Sequence, residues 1–469
     1  MPSIPAPGSP AAYCIWAKYV TPMNPIPYSI GSNKDLTIIQ TNYDDDTDKS
    51  SSDAHLSPDG QIIVRRLPKD SDKGPHFSFD VRTSDPSLVV LQTWDEQTRT
   101  LKISTPRSSH IMLPGPHCIS LEITAWLPED AELNSLLVQS VSLTLAVLDD
   151  VKISVFGGAS FISVSGDVHF PNFPKSNPSF EAPGYSFDTR RITVDTTSGS
   201  ISGLFPLYDL LSLHSISGSV RVGVTAQSID PTRPAPAELK IKTNSGTINC
   251  RLPQLSIGEL SYTPPLRDYI THIESVSGTI SGAYYQGSHG YFYSMSGGIQ
   301  GSILPIIGKD LGSVSTLDTI TTSGTTSIEL LSPIFYNPDS FGSRQPRRPP
   351  YIPIHDDDPY LLPPPQAEGS LPNQGSTALI HDSIWQNLKS NHQSTSGKIA
   401  VRYPSQWEGT VDASSISGSI ALDGKDLYIV RVEKGWGVKQ VVAMKGYQGE
   451  GKASMAVLTS VSGRLSFSV

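Results

Sequence analysis

Between Ser165 and Leu465 the chain repeatedly writes Ser-Gly, one free residue, then Ile, Val or Leu. The copies are Ser165-Gly166-Asp167-Val168, Ser198-Gly199-Ser200-Ile201, Ser217-Gly218-Ser219-Val220, Ser245-Gly246-Thr247-Ile248, Ser277-Gly278-Thr279-Ile280 and Ser296-Gly297-Gly298-Ile299. They resume at Ser396-Gly397-Lys398-Ile399, Ser417-Gly418-Ser419-Ile420 and Ser462-Gly463-Arg464-Leu465, and Ser323-Gly324-Thr325-Thr326 is a degenerate copy. The nearest copies lie about twenty residues apart, and a unit that short has no core of its own, so its apolar side must be covered by the next unit. The residue before the serine is often apolar: Val164, Ile216, Val276, Met295, Ile416, Val461. Counting by twos from it reaches the glycine and then the Ile or Val, as in Ile216, Gly218, Val220, Val222 and Val224. Strand periodicity then predicts that all of these face inward and the serine outward, with the glycine marking a bend or a close backbone approach. This is the pattern of an all-β, β-solenoid or parallel β-helix-like array that turns a corner once per repeat.

The rest of the chain fits short strands and turns. Apolar residues make up 37% and charged residues 17%, and no long stretch carries a 3.6-residue period. Residues 1–35 read as an irregular, Pro-rich lead-in. Residues 36–150 read as an N-terminal β region with runs at Ile62–Val64, Phe77–Val81, Leu88–Leu91, Leu101–Ile103 and Cys118–Trp126, the last alternating cleanly. Residues 151–332 carry the repeat array, 333–392 a Pro-rich insertion expected to be disordered, and 393–469 further coils. Within the insertion, Arg344–Pro350, His355–Asp358 and Leu362–Pro365 cannot continue a strand ladder, because proline lacks the amide donor. Arg344–Pro350 would suit an aromatic groove as a polyproline helix, which leaves an intracellular scaffold as one alternative.

Candidate chemistry is sparse. The net charge of −9 argues against nucleic acid, which calls for a basic surface. Cys14, Cys118 and Cys250 form no metal-ligand spacing; a Cys14–Cys118 bridge suits an exported protein, but three free thiols are the expectation. Asp44-Asp45-Asp46 reads as a solvated loop. Gly446–Lys452 matches most of a phosphate-binding loop, but Ala453 stands where a hydroxyl would hold magnesium and strand follows where helix is needed, so a hairpin turn is expected. The proline of Asn177-Pro178-Ser179 blocks glycosylation. A carbohydrate-active enzyme on a β-helix is the other alternative, with Asp149-Asp150 and His289 as its best fragments, though glycosidic cleavage needs paired carboxylates. His214, His272 and His289 lie among serines without a nucleophile elbow. Tyr284, Tyr285, Tyr291, Phe292 and Tyr293 suit either sugar stacking or a core. No catalytic, cofactor-binding or metal-binding residue is assigned.

With its Val-Ser-Gly-x-Ile/Val units, the chain resembles the "putative adhesin" family of proteins. It is most similar to the fungal members, on Cys118–Asp130 followed by Leu143–Asp150 and the ordered repeats. The resemblance covers roughly residues 115–469. It implies a solenoid-like fold, an adhesin-like binding role without catalysis, a cell-wall polymer or surface protein as partner, and a cell-surface or membrane-anchored location. Fungal members often carry a membrane span upstream of the β region. This sequence shows neither such a span nor a signal peptide, since Ala11–Val20 is short and interrupted by Lys18.

Overall fold

The computed structural model describes residues 14, 17–30, 35–43, 54–56, 58–69, 71–106, 108–109, 117–172, 184–253, 255–256, 259–260, 264–308, 314–336, 384–435, 437–446 and 454–469. These residues are all-β and form two large, mostly parallel sheets. The chain alternates between them. In the first sheet, Ile201–Leu207, Val220–Ala226, Ile248–Arg251, Ile280–Gln286, Ile299–Gly308 and Thr326–Leu330 lie side by side in chain order. In the second, Arg191–Thr196, Leu210–Ser215, Ala237–Thr243, Tyr269–Ser275, His289–Ser294 and Ser315–Thr321 do the same. Each Ser-Gly copy is the crossover from the second sheet to the first, and the chain advances one strand per crossing. The pairings run from edge to edge, so neither sheet closes on itself.

The core lies between the sheets. Val168, Ile201, Val220, Ile248, Ile280, Ile299, Thr326, Ile399 and Leu465 stand in direct register. All are buried, so one motif position supplies a continuous apolar ladder. The degenerate copy keeps its place in it through Thr326.

The crossover departs from the simple parity count. Val164, Ile216, Val276, Met295, Ile416 and Val461 are exposed, while the glycines two positions on are mostly buried. The two residues before the glycine both sit on the outside of the corner, and alternation restarts at the glycine. The buried position falls one residue earlier, and there the chain always places a hydroxyl: Ser163, Thr196, Ser215, Thr243, Ser275, Ser294, Thr321, Ser394, Ser415 and Ser460. Several of the serines accept the N–H of the glycine three residues on, at 2.8 Å from Gly218 to Ser215 and from Gly278 to Ser275. Threonine instead donates to that glycine's carbonyl, at 2.7 Å for both Thr196 and Thr243. The working motif is therefore Ser/Thr-x-x-Gly, because a buried corner amide or carbonyl without a partner is costly.

Glycine is required at the corner by close approach. A Cβ on Gly218 would lie 1.9 Å from the carbonyl oxygen of Gly199, and one on Gly278 would lie 1.8 Å from that of Gly246. The glycines thus form a column in which each backbone fills the space a side chain would need.

The stack changes order near its end. Leu388–Ser394 pairs with Ser315–Thr321 on one side and with Ser454–Ser460 on the other. Ser454–Ser460 in turn pairs with Gly409–Ser415. The last strands of the chain are therefore inserted between the coils carrying Gly397 and Gly418, and the glycine column runs 324, 397, 463, 418.

Two smaller points differ from expectation. Leu88, Val89 and Val90 precede the strand, which begins at Leu91. Cys14 and Cys118 form a disulfide with 5.9 Å between Cα atoms, correcting the expectation of free thiols. Cys250 is free and buried, and burial raises its thiol pKa to about 12. Among the described residues no helix is long and apolar enough to cross a membrane.

Candidate ligand-binding trough

In the later strands of the first sheet the residues one and three positions past the ladder residue face outward. Ser281, Gln300, Ser327, Ala400 and Ser466 stand in one such row. Ser302, Glu329, Arg402 and Ser468 stand in the next. Together with Gly282 and Gly301 they line an open trough of about 560 Å³. It is concave because most of these side chains are serine or alanine and two positions have none. At Gly282, with φ +123°, a Cβ would lie 1.9 Å from the carbonyl oxygen of Cys250. The floor is braced from below, where the buried Tyr284 hydroxyl donates to the Ser281 carbonyl at 2.9 Å. At one end Asn249 donates to the Ser281 hydroxyl at 2.9 Å.

The trough runs across five strands, about 19 Å at the usual ~4.8 Å strand spacing. Its lining is mainly hydroxyls, with one amide, one acid and one base. Arg402 and Glu329 approach to 3.8 Å, with their side chains 74% and 49% exposed. So open a pair is held together weakly, and both groups are available to a ligand. The nearest further acid along the row is Asp423, beside Ser468. It lies three strands from Glu329, about 14 Å by the same spacing. Acid–base pairs that cleave glycosides stand about 5–9.5 Å apart.

The candidates named from sequence lie elsewhere, and among the described residues the structure brings together only Tyr284 with Phe292 and Tyr291 with His272. Tyr284, Tyr285 and Phe292 are core residues, with Tyr284 against Phe292 at 5.0 Å. Tyr291 and Tyr293 are half-buried on the outside of the second sheet. Tyr291 stacks on His272 at 4.6 Å, so one ring face is already covered, and burial beside Glu274, Tyr293 and Asp318 raises its pKa. His272 meets Glu274 at 2.7 Å and Lys242 meets the same carboxylate at 3.1 Å. Burial opposes ionisation of Glu274, but the hydrogen bonds and charges of these two partners outweigh it, and its pKa lies below the usual value. His214 pairs with Asp195 at 3.5 Å and His289 with the Thr316 hydroxyl at 2.7 Å. Asp150 accepts from the Arg65 side chain and the Arg66 amide, at 3.1 and 3.2 Å. These are cross-strand and turn contacts. Among the described residues no group of three or more His, Cys, Asp or Glu converges as a metal site would. Asp44–Asp46, Asn177–Ser179, Arg344–Pro350, His355–Asp358, Leu362–Pro365 and all of Gly446–Lys452 but its first glycine lie outside the described residues.

The trough residues were not singled out from sequence. Their signal is the outward parity after each Ile, where serine recurs, with Ala and Gln, in place of the β-branched and aromatic residues common on sheet surfaces.

No family model and no curated protein matches the chain. Among solved structures it aligns with one from Clostridium sporogenes described as a "putative cell adhesion protein", at 7% identity and a TM-score of 0.16, over 94% of this chain and 96% of that one; so low a score does not show a common fold.

Proposed function

We propose that this chain is an adhesin-like β-solenoid that binds a linear, hydroxyl-rich polymer lengthwise in the trough without cleaving it. The observation that carries the reading is the two rows of polar side chains, mostly serines, Ser281, Gln300, Ser327 and Ser466 beside Ser302, Glu329, Arg402 and Ser468. A repeating floor suits a repeating ligand, because each strand offers a similar hydrogen-bonding step. The carboxylate spacing across the trough supports binding over hydrolysis. The Cys14–Cys118 bridge favours an oxidising compartment, where wall and matrix polymers are found. The continuous glycine column and the strand-per-repeat advance support a solenoid as the scaffold.

The test is co-sedimentation of the purified protein with insoluble wall polysaccharides, followed by titration with oligosaccharides of increasing length. Affinity should rise with length until the trough is filled. Ser327→Trp and Ser302→Trp should abolish binding while leaving the circular dichroism spectrum unchanged. Absence of binding to every polysaccharide, binding indifferent to both substitutions, or release of shorter fragments would each overturn the proposal.

A further inference from the structure

The second sheet ends in a long, apolar strand with one bulge, between Ile429 and Arg431. Beyond Gly409–Ser415 the sheet continues antiparallel through Val438–Lys445 and then Leu427–Gly435. Leu427–Gly435 is nine residues long, and among the described residues nothing pairs with its outer side. Tyr428, Ile429, Val430 and Val432 are 68, 60, 59 and 51% exposed. Proteins usually blunt such edges with short strands, proline, bulges or inward charges, because a long apolar edge is a template for another strand; here the bulge at Val430 is the one such device, and Arg431–Gly435 beyond it runs regularly.

The charges on this strand select one template. Arg431 and Glu433 lie on the same face, 3.4 Å apart and both more than half exposed. When two copies pair antiparallel about Val432, Arg431 of each stands opposite Glu433 of the other. Shifting the register by two residues either way centres the pair on Arg431 or on Glu433 and sets like charges face to face, which is unfavourable. The Val432-centred register also brings the two exposed Val432 side chains together. We infer that Leu427–Gly435 is a self-complementary seam through which two copies join their second sheets into one. A seam this narrow lies at the small end of protein interfaces, so assembly should depend on concentration.

Charge reversal tests both partner and register. The full-length protein should shift from monomer to dimer with rising concentration in sedimentation equilibrium. R431E presents two acids per edge and E433R two bases, so each alone should weaken the dimer about tenfold. Mixing the two variants should restore dimerisation, as a heterodimer, and so should the double variant R431E/E433R. Both positions are exposed, and an unchanged circular dichroism spectrum would show that the fold is kept. A wild-type protein monomeric at every concentration would overturn the seam, as it would if residues 337–383 or another partner cover this edge. A dimer untouched by both single reversals would overturn it equally.

Discussion

The two ends of the stack are closed by different means. At the N-terminal end the outermost strand of the first sheet, His76–Thr83, is covered by two-residue pieces, Tyr19–Val20 and Ile26–Pro27, short and in one case proline-bearing as protected edges tend to be. The disulfide fastens the lead-in beside Ile119–Leu127. The missing corner below the first repeat is replaced by one side chain, since the buried Gln40 Oε1 accepts from the Ser140 hydroxyl and from the amides of Val141 and Ser142, at 3.1, 2.9 and 3.3 Å. In later coils the corner amide finds the carbonyl of the coil before it, as Ser217 N does with Thr197 O at 2.9 Å. At the C-terminal end the outermost strand of the second sheet, Gly409–Ser415, is covered by a hairpin, Val438–Lys445 followed by Leu427–Gly435, whereas the first sheet is left barer. Its outermost coil, with Ile420–Asp423, is only partly buried, and its neighbour in space is made last. The N-terminal end is therefore finished by side chains and a covalent link, the C-terminal end by a hairpin laid on a coil that itself rests on the chain's tail.

If that contrast is right, the largest effect comes from the middle of the column and fades toward the open end. Gly278→Val drives a side chain into the Gly246 carbonyl with coils stacked on both sides, and should cost more than about 4–5 kcal/mol, enough to prevent folding. Gly418→Val meets the Gly463 carbonyl at the outermost coil, which can detach alone. It should lower stability by about 1–3 kcal/mol, seen as lost hydrogen-exchange protection confined to 409–446. Equal global unfolding by both would erase the difference between middle and end.

Removing residues 454–469 is the next most severe. Were the coils stacked in chain order, the deletion would trim only the end. Because Ser454–Ser460 lies between Leu388–Ser394 and Gly409–Ser415, it should free the whole 409–446 segment to limited proteolysis while the coils before Ser394 stay protected. Protection of 409–446 in the truncated chain would mean that the coil docks directly on Leu388–Ser394.

The repeat marks an all-β chain that passes between two mostly parallel sheets, because a glycine and an apolar residue at fixed spacing have few other uses. It misled about the residue before the serine, since strand parity does not hold through a corner and Ile216 or Val276 looks as apolar outside as inside. The buried Ser or Thr three residues before each glycine was legible in every copy. It was overlooked because a hydroxyl in a serine-rich text carries no contrast. Tail insertion was not legible, since Ser462-Gly463 and Ser417-Gly418 are equivalent copies and nothing local orders them. The trough was half legible, in that outward parity marks Gln300 and Ser327, whereas its depth comes from small neighbours on four other strands.

At the N-terminal end Gln40→Ala should cost about 2–3 kcal/mol, because it leaves the Val141 and Ser142 amides without their acceptor. Chemical denaturation measures this directly. Reducing the disulfide in the same variant should add to the loss, since the two devices tie down different strands. A cost below about 0.5 kcal/mol would mean that water replaces the side chain and the cap is dispensable.

The smallest effect near neutrality, and the one that separates the ends most cleanly, is acid. His392 is fully buried on the strand that receives the tail, bonded to Thr319 at 2.7 Å and to Tyr403 at 3.1 Å, and burial lowers its pKa to about 3. An unfolded histidine titrates near 6.5. Between those values the unfolded chain takes up a proton that the folded one refuses, so stability falls as pH drops from about 6.5 towards 3, by up to about 1.4 kcal/mol per pH unit. The loss should first appear as faster exchange in 388–402 and 454–469, with the strands around Gln40 unchanged. His392→Gln should flatten this dependence at the C-terminal end. Loosening that starts at the N-terminal end, or a slope unchanged in the variant, would place the acid-sensitive group elsewhere and remove this distinction between the ends.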